Sequence, residues 1–347
     1  MVLAYYISGH GLGHVSRSIE LIGELTSRRP NLRVVALTSA PAWAFSRIRS
    51  PAVVVQPLET DPGVAQFDSM GVDEPETARR AVRFYGEWDR RVGDEARRLR
   101  AIGAHLVVSD IAPIAFAAAK GAGLPAVAVA NFTWDWIYAY YAEFERRAPG
   151  VVSLISDAYA VATLGLRLPF PGGFASMSGV TRDIPFIARR STRDPADTRR
   201  ALGIDARRPF VLSSFAGHGA TLPYARLEAS GLTVLAPDQI PPAGLLYEDL
   251  VAAVDVVVSK PGYGIVSECV ANRTPLLYTS RGRFAEYDVM VSDMPRLLRC
   301  RFITQEDLLA GNWREAIDAL LAQPEPPERP RVDGAGLAAG QILALGD

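Results

Sequence analysis

The sequence predicts an α/β protein built from two doubly wound, mainly parallel sheets facing one another across a cleft. Three observations predict it. The 347 residues exceed what one hydrophobic core ordinarily organises and suit two domains of roughly 150 to 170 residues each. In both halves short Val- and Ile-rich runs alternate with helical patterns, and their apolarity is continuous, as in strands covered by helices on both faces. Between the halves, residues 184–215 combine prolines, clustered charges and a fresh strand-like run, the composition of a linker into a second domain.

The elements follow in order. Residues 2–7, 33–38, 52–57, 105–110 and 126–131 read as buried strands of a first domain spanning 1–190. A glycine-rich turn after the first strand leads into a helix starting near Val15. The 74–102 stretch has helical spacing, with Ala81, Val82, Phe84, Tyr85, Trp88, Val92 and Leu99 inward and its charge run on a solvated face. A second domain, 191–330, carries strand runs at 210–215, 231–237, 254–260 and 275–280. A proline-rich connection then precedes a short final helix within 331–347, expected to pack back on the first domain. No fixed short repeat is visible, which argues against a solenoid.

Composition narrows the function classes. With 49% hydrophobic and 22% charged residues the chain reads as soluble and globular, and a net charge of −1 argues against nucleic acid as a partner. There is no basic leader and no run of ~18 apolar residues, so the reading is a cytoplasmic protein without a transmembrane segment, peripheral membrane contact being left open. Cys269 and Cys300 form no CxxC and are expected to be buried packing residues, without disulfide or zinc. Among 37 basic residues only Lys120 and Lys260 are lysines, the bias of GC-rich bacterial coding.

In doubly wound sheets, chemistry comes from the loops after strands. The first such loop, "SGHGLGHVSRS" (8–18), places His10, Gly11, Gly13 and His14 at the mouth of the first sheet. Its spacing is not GxGxxG, and no acidic residue ends the next strand, so a dinucleotide loop is not implied. Solvated histidines on a tight turn are the plain reading; a base or ligand-gripping role is the sharper one. Asp110, ending "VVSD", either caps the helix opened by Pro113 or orients a catalytic imidazole. In "VVVSKPGYGIVSECV" (256–270), Lys260, Gly262, Tyr263 and Gly264 outline an anion-binding turn before a helix, without Walker spacing, and Glu268 lies one helical turn further. A second small-residue turn holds Gly217, His218 and Gly219; two such turns on one sheet edge describe a diphosphate pocket. Tyr247 is a candidate for a nucleobase pocket, with core packing as its alternative.

These residues resemble the two-domain GT-B glycosyltransferases, in particular the bacterial peptidoglycan GlcNAc transferase and plant UDP-glycosyltransferase types. More closely still, the chain looks like the glycosyltransferase-like N-terminal half of plant L-arabinokinases. The matching stretches are "YYISGHGLGH", "LVVSDIAPIAFAAAKGAGLPAVAVANFTWDWIYAYY", "DIPFIARR", "KPGYGIVSE" and "DGAGLAAGQIL", which together span nearly all of the chain. The resemblance implies Rossmann-like domains, His14 as catalytic base with Asp110 as its acidic partner, Gly262 and Gly264 at the donor diphosphate, and Glu268 on the donor ribose. It puts Glu286 near the donor-sugar hydroxyls, although Tyr287 departs from the usual pair and leaves the sugar open. The "KPG" form also resembles diacylglycerol glycosyltransferases, a hint of a lipid acceptor.

The expectation is an inverting transferase moving a sugar from a nucleotide-diphosphate sugar, UDP-linked by resemblance, to a hydroxyl acceptor on a small molecule, glycan or lipid. No cofactor and no metal are expected, there being no DxD motif, and the ATP loop of a sugar kinase is absent from these 347 residues. His10, Gly11, Gly13, Phe67, Trp134 and Trp136 are the expected acceptor contacts. A silent nucleotide-sugar-binding module and a nucleotide-sugar hydrolase or epimerase are the alternatives.

Overall fold

The Val- and Ile-rich runs form strands β1 (Val2–Ile7), β2 (Arg33–Thr38), β3 (Val53–Pro57), β4 (Leu106–Asp110) and β5 (Ala126–Phe132), but β3, expected to be buried, lies at the sheet edge and has no buried residue. Two more, β6 (Leu164–Gly172) and β7 (Thr181–Asp183), complete a seven-stranded sheet in the order β3-β2-β1-β4-β5-β6-β7, every pair parallel. A computed structural model describes residues 1–48, 50–67, 71–204, 207–215, 222–236 and 244–346. A second parallel sheet holds β8 (Phe210–Ser213), β9 (Thr233–Leu235), β10 (Val256–Ser259), β11 (Leu276–Tyr278) and β12 (Cys300–Phe302) in the order β12-β11-β10-β8-β9. Each sheet is the core of a Rossmann-like domain.

Strand order reverses at β1/β4 in the first sheet and at β8/β10 in the second. Neighbouring strands there send their connections to opposite faces, which opens a crevice at the strands' carboxyl ends. In the first sheet Ile7 pairs with Asp110, and the Ser8 amide donates to the Asp110 carbonyl at 2.8 Å, so the two loops begin side by side. In the second, the Ser214 amide donates to the Val258 carbonyl at 2.8 Å and the Ser259 hydroxyl to the Ser214 carbonyl at 2.7 Å.

Helix α1 (Leu12–Arg28) buries Val15, Ile19, Leu21, Ile22 and Leu25 on one stripe, and the same stripe holds His14, Arg17 and Ser18 in its first turns. Each aliphatic side chain buried there contributes about 1.5–3 kcal/mol, which fixes the rotation of the helix and hence the direction of its polar residues. The 74–102 stretch is two helices, α2 (Glu74–Tyr85) and α3 (Trp88–Ala101), separated at Gly86 and Glu87. Val82, expected inward, is 46% exposed because Thr77, Ala78, Ala81, Phe84 and Tyr85 take the inner face. Cys269 is buried, but Cys300, on an edge strand, is only half-buried.

The chain divides into two units: 1–65 with 73–187 and 331–347, and 66–72 with 188–330. Within the first unit the helix Gly334–Leu345 packs on α1. The Phe186 amide donates to the Arg331 carbonyl at 3.2 Å and the Gly334 amide to the Phe186 carbonyl at 3.0 Å. No helix among the described residues is long and apolar enough to cross a membrane.

Candidate active site

In the first unit, His14 and Asp110 meet at the β1/β4 crevice with His14 Nδ1 2.8 Å from Asp110 Oδ1. Asp110 does not cap the next helix, α4 (Pro113–Ala122), whose N-cap is Ala112 without a side-chain bond. It faces α1 instead. Arg17, which the motifs did not single out, donates to both carboxylate oxygens at 2.6 Å and to the Asn131 side-chain carbonyl at 2.6 Å, and Ser18 adds a bond to Asp110 at 3.2 Å. Burial alone raises the pKa of this fully buried carboxyl. The charge of Arg17, then that of His14, and their hydrogen bonds outweigh burial and hold Asp110 below the usual carboxylate range.

The ionised carboxylate decides the tautomer of His14. Arg17 Nη2 also lies 3.0 Å from His14 Nδ1, but a lone pair on Nδ1 would point at Asp110 Oδ1. Assigned from these partners, the proton is on Nδ1, donated to Asp110, and the lone pair is on Nε2.

His10 takes the opposite form. Its Nδ1 accepts the Val64 amide at 3.3 Å, so the neutral ring carries its proton on Nε2. The ring meets Trp134 edge-on at 5.5 Å, and Trp134 lies 6.3 Å from His14 and stacks on Tyr138 at 5.6 Å. Gly63 makes room for His10. A Cβ there would stand 2.8 Å from the imidazole Nδ1, and φ is +58°.

A second carboxylate escaped the sequence reading. Asp61, almost fully buried, accepts from Ser8 at 2.9 Å and Thr60 at 3.1 Å. Burial pushes its carboxyl up to about 6, with the charge of His14 and the hydrogen bonds from Ser8, Thr60 and the Gly63 amide pulling the other way. Its Asp-Pro-Gly context reads as an ordinary turn, which is why no signal marked it.

The expected acceptor contacts divide. Gly11, the N-cap of α1, is exposed, and Gly13 is half-buried; the cap has no side-chain bond, leaving the first-turn amides to other partners. Trp134 is fully buried, its ring edge-on to His10 at 5.5 Å and 6.3 Å from that of His14. Trp136, half-buried, packs against Gly172, where a Cβ would come 2.4 Å from the ring. Phe67 is 73% exposed.

In the second unit, Gly262 is the N-cap of the helix Tyr263–Asn272, again without a side-chain cap, directly after β10 and the half-buried Lys260. Tyr263 is buried and Gly264 half-buried at its start. Glu268, 2% exposed, accepts from Arg189 Nε at 2.6 Å and Nη2 at 2.5 Å. The Arg189 guanidinium lies 5.1 Å from the Tyr247 ring centroid, and the Tyr247 hydroxyl bonds Ser214 Oγ at 2.5 Å. Burial, with Glu268 adding to it, pushes the Tyr247 phenol well up. Arg189 was also missed, lying in what reads as linker. Glu286, in the first turn of the helix Ala285–Leu297, accepts from Arg281 Nη1 at 3.0 Å, with Tyr287 half-buried beside it. Gly217, His218 and Gly219 lie outside the described residues. Among the described residues no group of three or more His, Cys, Asp or Glu is placed to hold a metal ion.

No protein-family model matches the chain. It is 31% identical to L-arabinokinase of Arabidopsis thaliana, over 99% of this chain and 34% of that one, so it spans about a third of that relative. It is 26% identical to the UDP-N-acetylglucosamine–N-acetylmuramyl-(pentapeptide) pyrophosphoryl-undecaprenol N-acetylglucosamine transferase of Clavibacter michiganensis, over 79% of this chain and 75% of that one. The solved calicheamicin glycosyltransferase superposes with a TM-score of 0.62 at 17% identity, covering 99% of this chain and 98% of that one. With its two all-parallel sheets, the chain has the GT-B fold, the two-domain architecture of these glycosyltransferases.

Proposed function

We propose that the protein is an inverting glycosyltransferase that moves a sugar from a nucleoside-diphosphate sugar to a hydroxyl acceptor. The observation that carries the reading is the His14–Asp110 pair, 2.8 Å apart, with Nδ1–H committed to the carboxylate. That leaves Nε2 as a base oriented by its partner.

In the proposed reaction the acceptor O–H gives its proton to His14 Nε2 as the oxygen attacks the anomeric carbon from the side opposite the leaving group. The bond from that carbon to the β-phosphate oxygen breaks, and the nucleoside diphosphate leaves with the electron pair. Asp110 stabilises the imidazolium. The uncapped amides at 262–264 and Lys260 are the groups we assign to the diphosphate. Glu268 is assigned to the ribose, Tyr247 to the nucleobase and Glu286 to the sugar hydroxyls. No step is routed through a metal.

The Clavibacter relative's name gives UDP-N-acetylglucosamine as donor and an undecaprenol-linked acceptor, which supports a UDP-sugar here and admits a lipid-linked acceptor reached peripherally from the cytoplasm. Diphosphate release from UDP-, GDP-, dTDP- and CDP-sugars, measured with and without acceptors, tests the reading. Acceptor-dependent release that His14→Ala abolishes is the expected outcome. Binding without turnover indicates a sensing module, and acceptor-independent release indicates a hydrolase.

A further inference from the structure

Arg281 belongs to no motif, yet it links two parts of the proposed donor site. It lies between β11 and the helix Ala285–Leu297, with its guanidinium 3.9 Å from the Phe284 ring centroid and Nη1 bonded to Glu286 at 3.0 Å. The side chain is 11% exposed. Its Nε is buried and has no hydrogen-bond partner among the described residues. Nη1 is also 3.6 Å from the point where a Cβ on Gly262 would stand, and no other described neighbour comes within 4 Å of that point.

Gly262 is not a glycine for backbone reasons. Its φ of −138° and ψ of 151° suit any residue, and a 3.6 Å approach is ordinary contact. What the missing side chain leaves is open space between a guanidinium and the uncapped first turn of the helix Tyr263–Asn272. A clasp serving only to hold Glu286 needs neither that space nor an unpaired, desolvated Nε–H. A planar cation with donors to spare beside helix amides suits a phosphate oxygen.

We infer that Arg281 binds the β-phosphate of the donor and of the departing nucleoside diphosphate, an inference that rests on the donor-site reading above. Through Glu286 the same guanidinium touches the residue assigned to the sugar hydroxyls, which puts its charge at the junction of sugar and phosphate. The electron pair of the broken anomeric bond stays on a β-phosphate oxygen, and Arg281 donates hydrogen bonds to it as that charge develops.

The test is calorimetric titration of the full chain with UDP, dTDP, GDP and CDP, followed by the tightest of these and its monophosphate against variants. Arg281→Ala is expected to weaken the diphosphate about 10- to 100-fold while changing the monophosphate less than about threefold. Arg281→Lys keeps a cation for Glu286, guards against loss of fold (checked by circular dichroism melting), and is expected to fall between; added guanidinium restores part of the alanine variant's affinity. Equal losses for both ligands, or none for the diphosphate, overturn the inference alone. Wild-type protein that binds no diphosphate overturns the donor-site reading, and the inference with it.

Discussion

Arg17 and Asp61 set the electrostatics around His14 from opposite directions. Arg17 holds Asp110 ionised through two 2.6 Å bonds in a setting where both side chains are buried. Removing one partner of such a pair leaves an uncompensated buried charge, so Arg17→Met is expected to destabilise the fold by about 3–5 kcal/mol in urea unfolding. A loss under about 1 kcal/mol would show that Asp110 is compensated by other groups. Asp61 is the opposite case, a carboxyl raised from 3.8 to about 6. The folded state then binds the proton more tightly than the unfolded chain. Stability from this group is fully present below about pH 4 and falls as pH rises to about 6, by about 3 kcal/mol in total. Asp61→Asn removes the titration. Whatever its pH-independent cost, the variant should gain on wild type by that amount between pH 4 and pH 7 in denaturant midpoints read at each pH. A difference that does not move with pH would contradict the burial argument.

The loops at the strand ends, more than the strands, make the site. Gly63 has a positive φ and no Cβ to press on His10, so Gly63→Ala is expected to cost about 1–3 kcal/mol by thermal unfolding; a neutral result would mean that the loop around Asp61 rebuilds freely. β1, β2, β4 and β5 were legible because their continuous apolar runs suit a sheet covered on both faces, whereas the same kind of run in β3 sits at the sheet edge without a buried residue. β6 was not legible, since Pro169 and Pro171 break its pattern. Edge strands β7 and β12, three residues each and largely exposed, carry too little apolar signal. At the site, His14 and Asp110 were legible as loop residues after two strands. Arg17, Asn131 and Asp61 were not, because their meaning comes from the β1/β4 neighbour relation, which no local spacing encodes. The burial of Trp134 beside both histidines was illegible for the same reason.

At the scale of the molecule, each unit presents the carboxyl ends of a parallel sheet with a strand-order reversal, and each reversal gathers the residues of one half of the proposed reaction. The first collects the base, its carboxylate and Arg17; the second collects the anion turn, Glu268 and Arg189. This division predicts that donor binding and proton removal separate under mutation. The direct measurement is sugar transfer by wild type and His14→Ala at saturating donor, with nucleoside-diphosphate affinity measured on the same preparations. A loss of about 10²- to 10⁴-fold in transfer is expected, with diphosphate affinity unchanged. Transfer by His14→Ala within about threefold of wild type would contradict it.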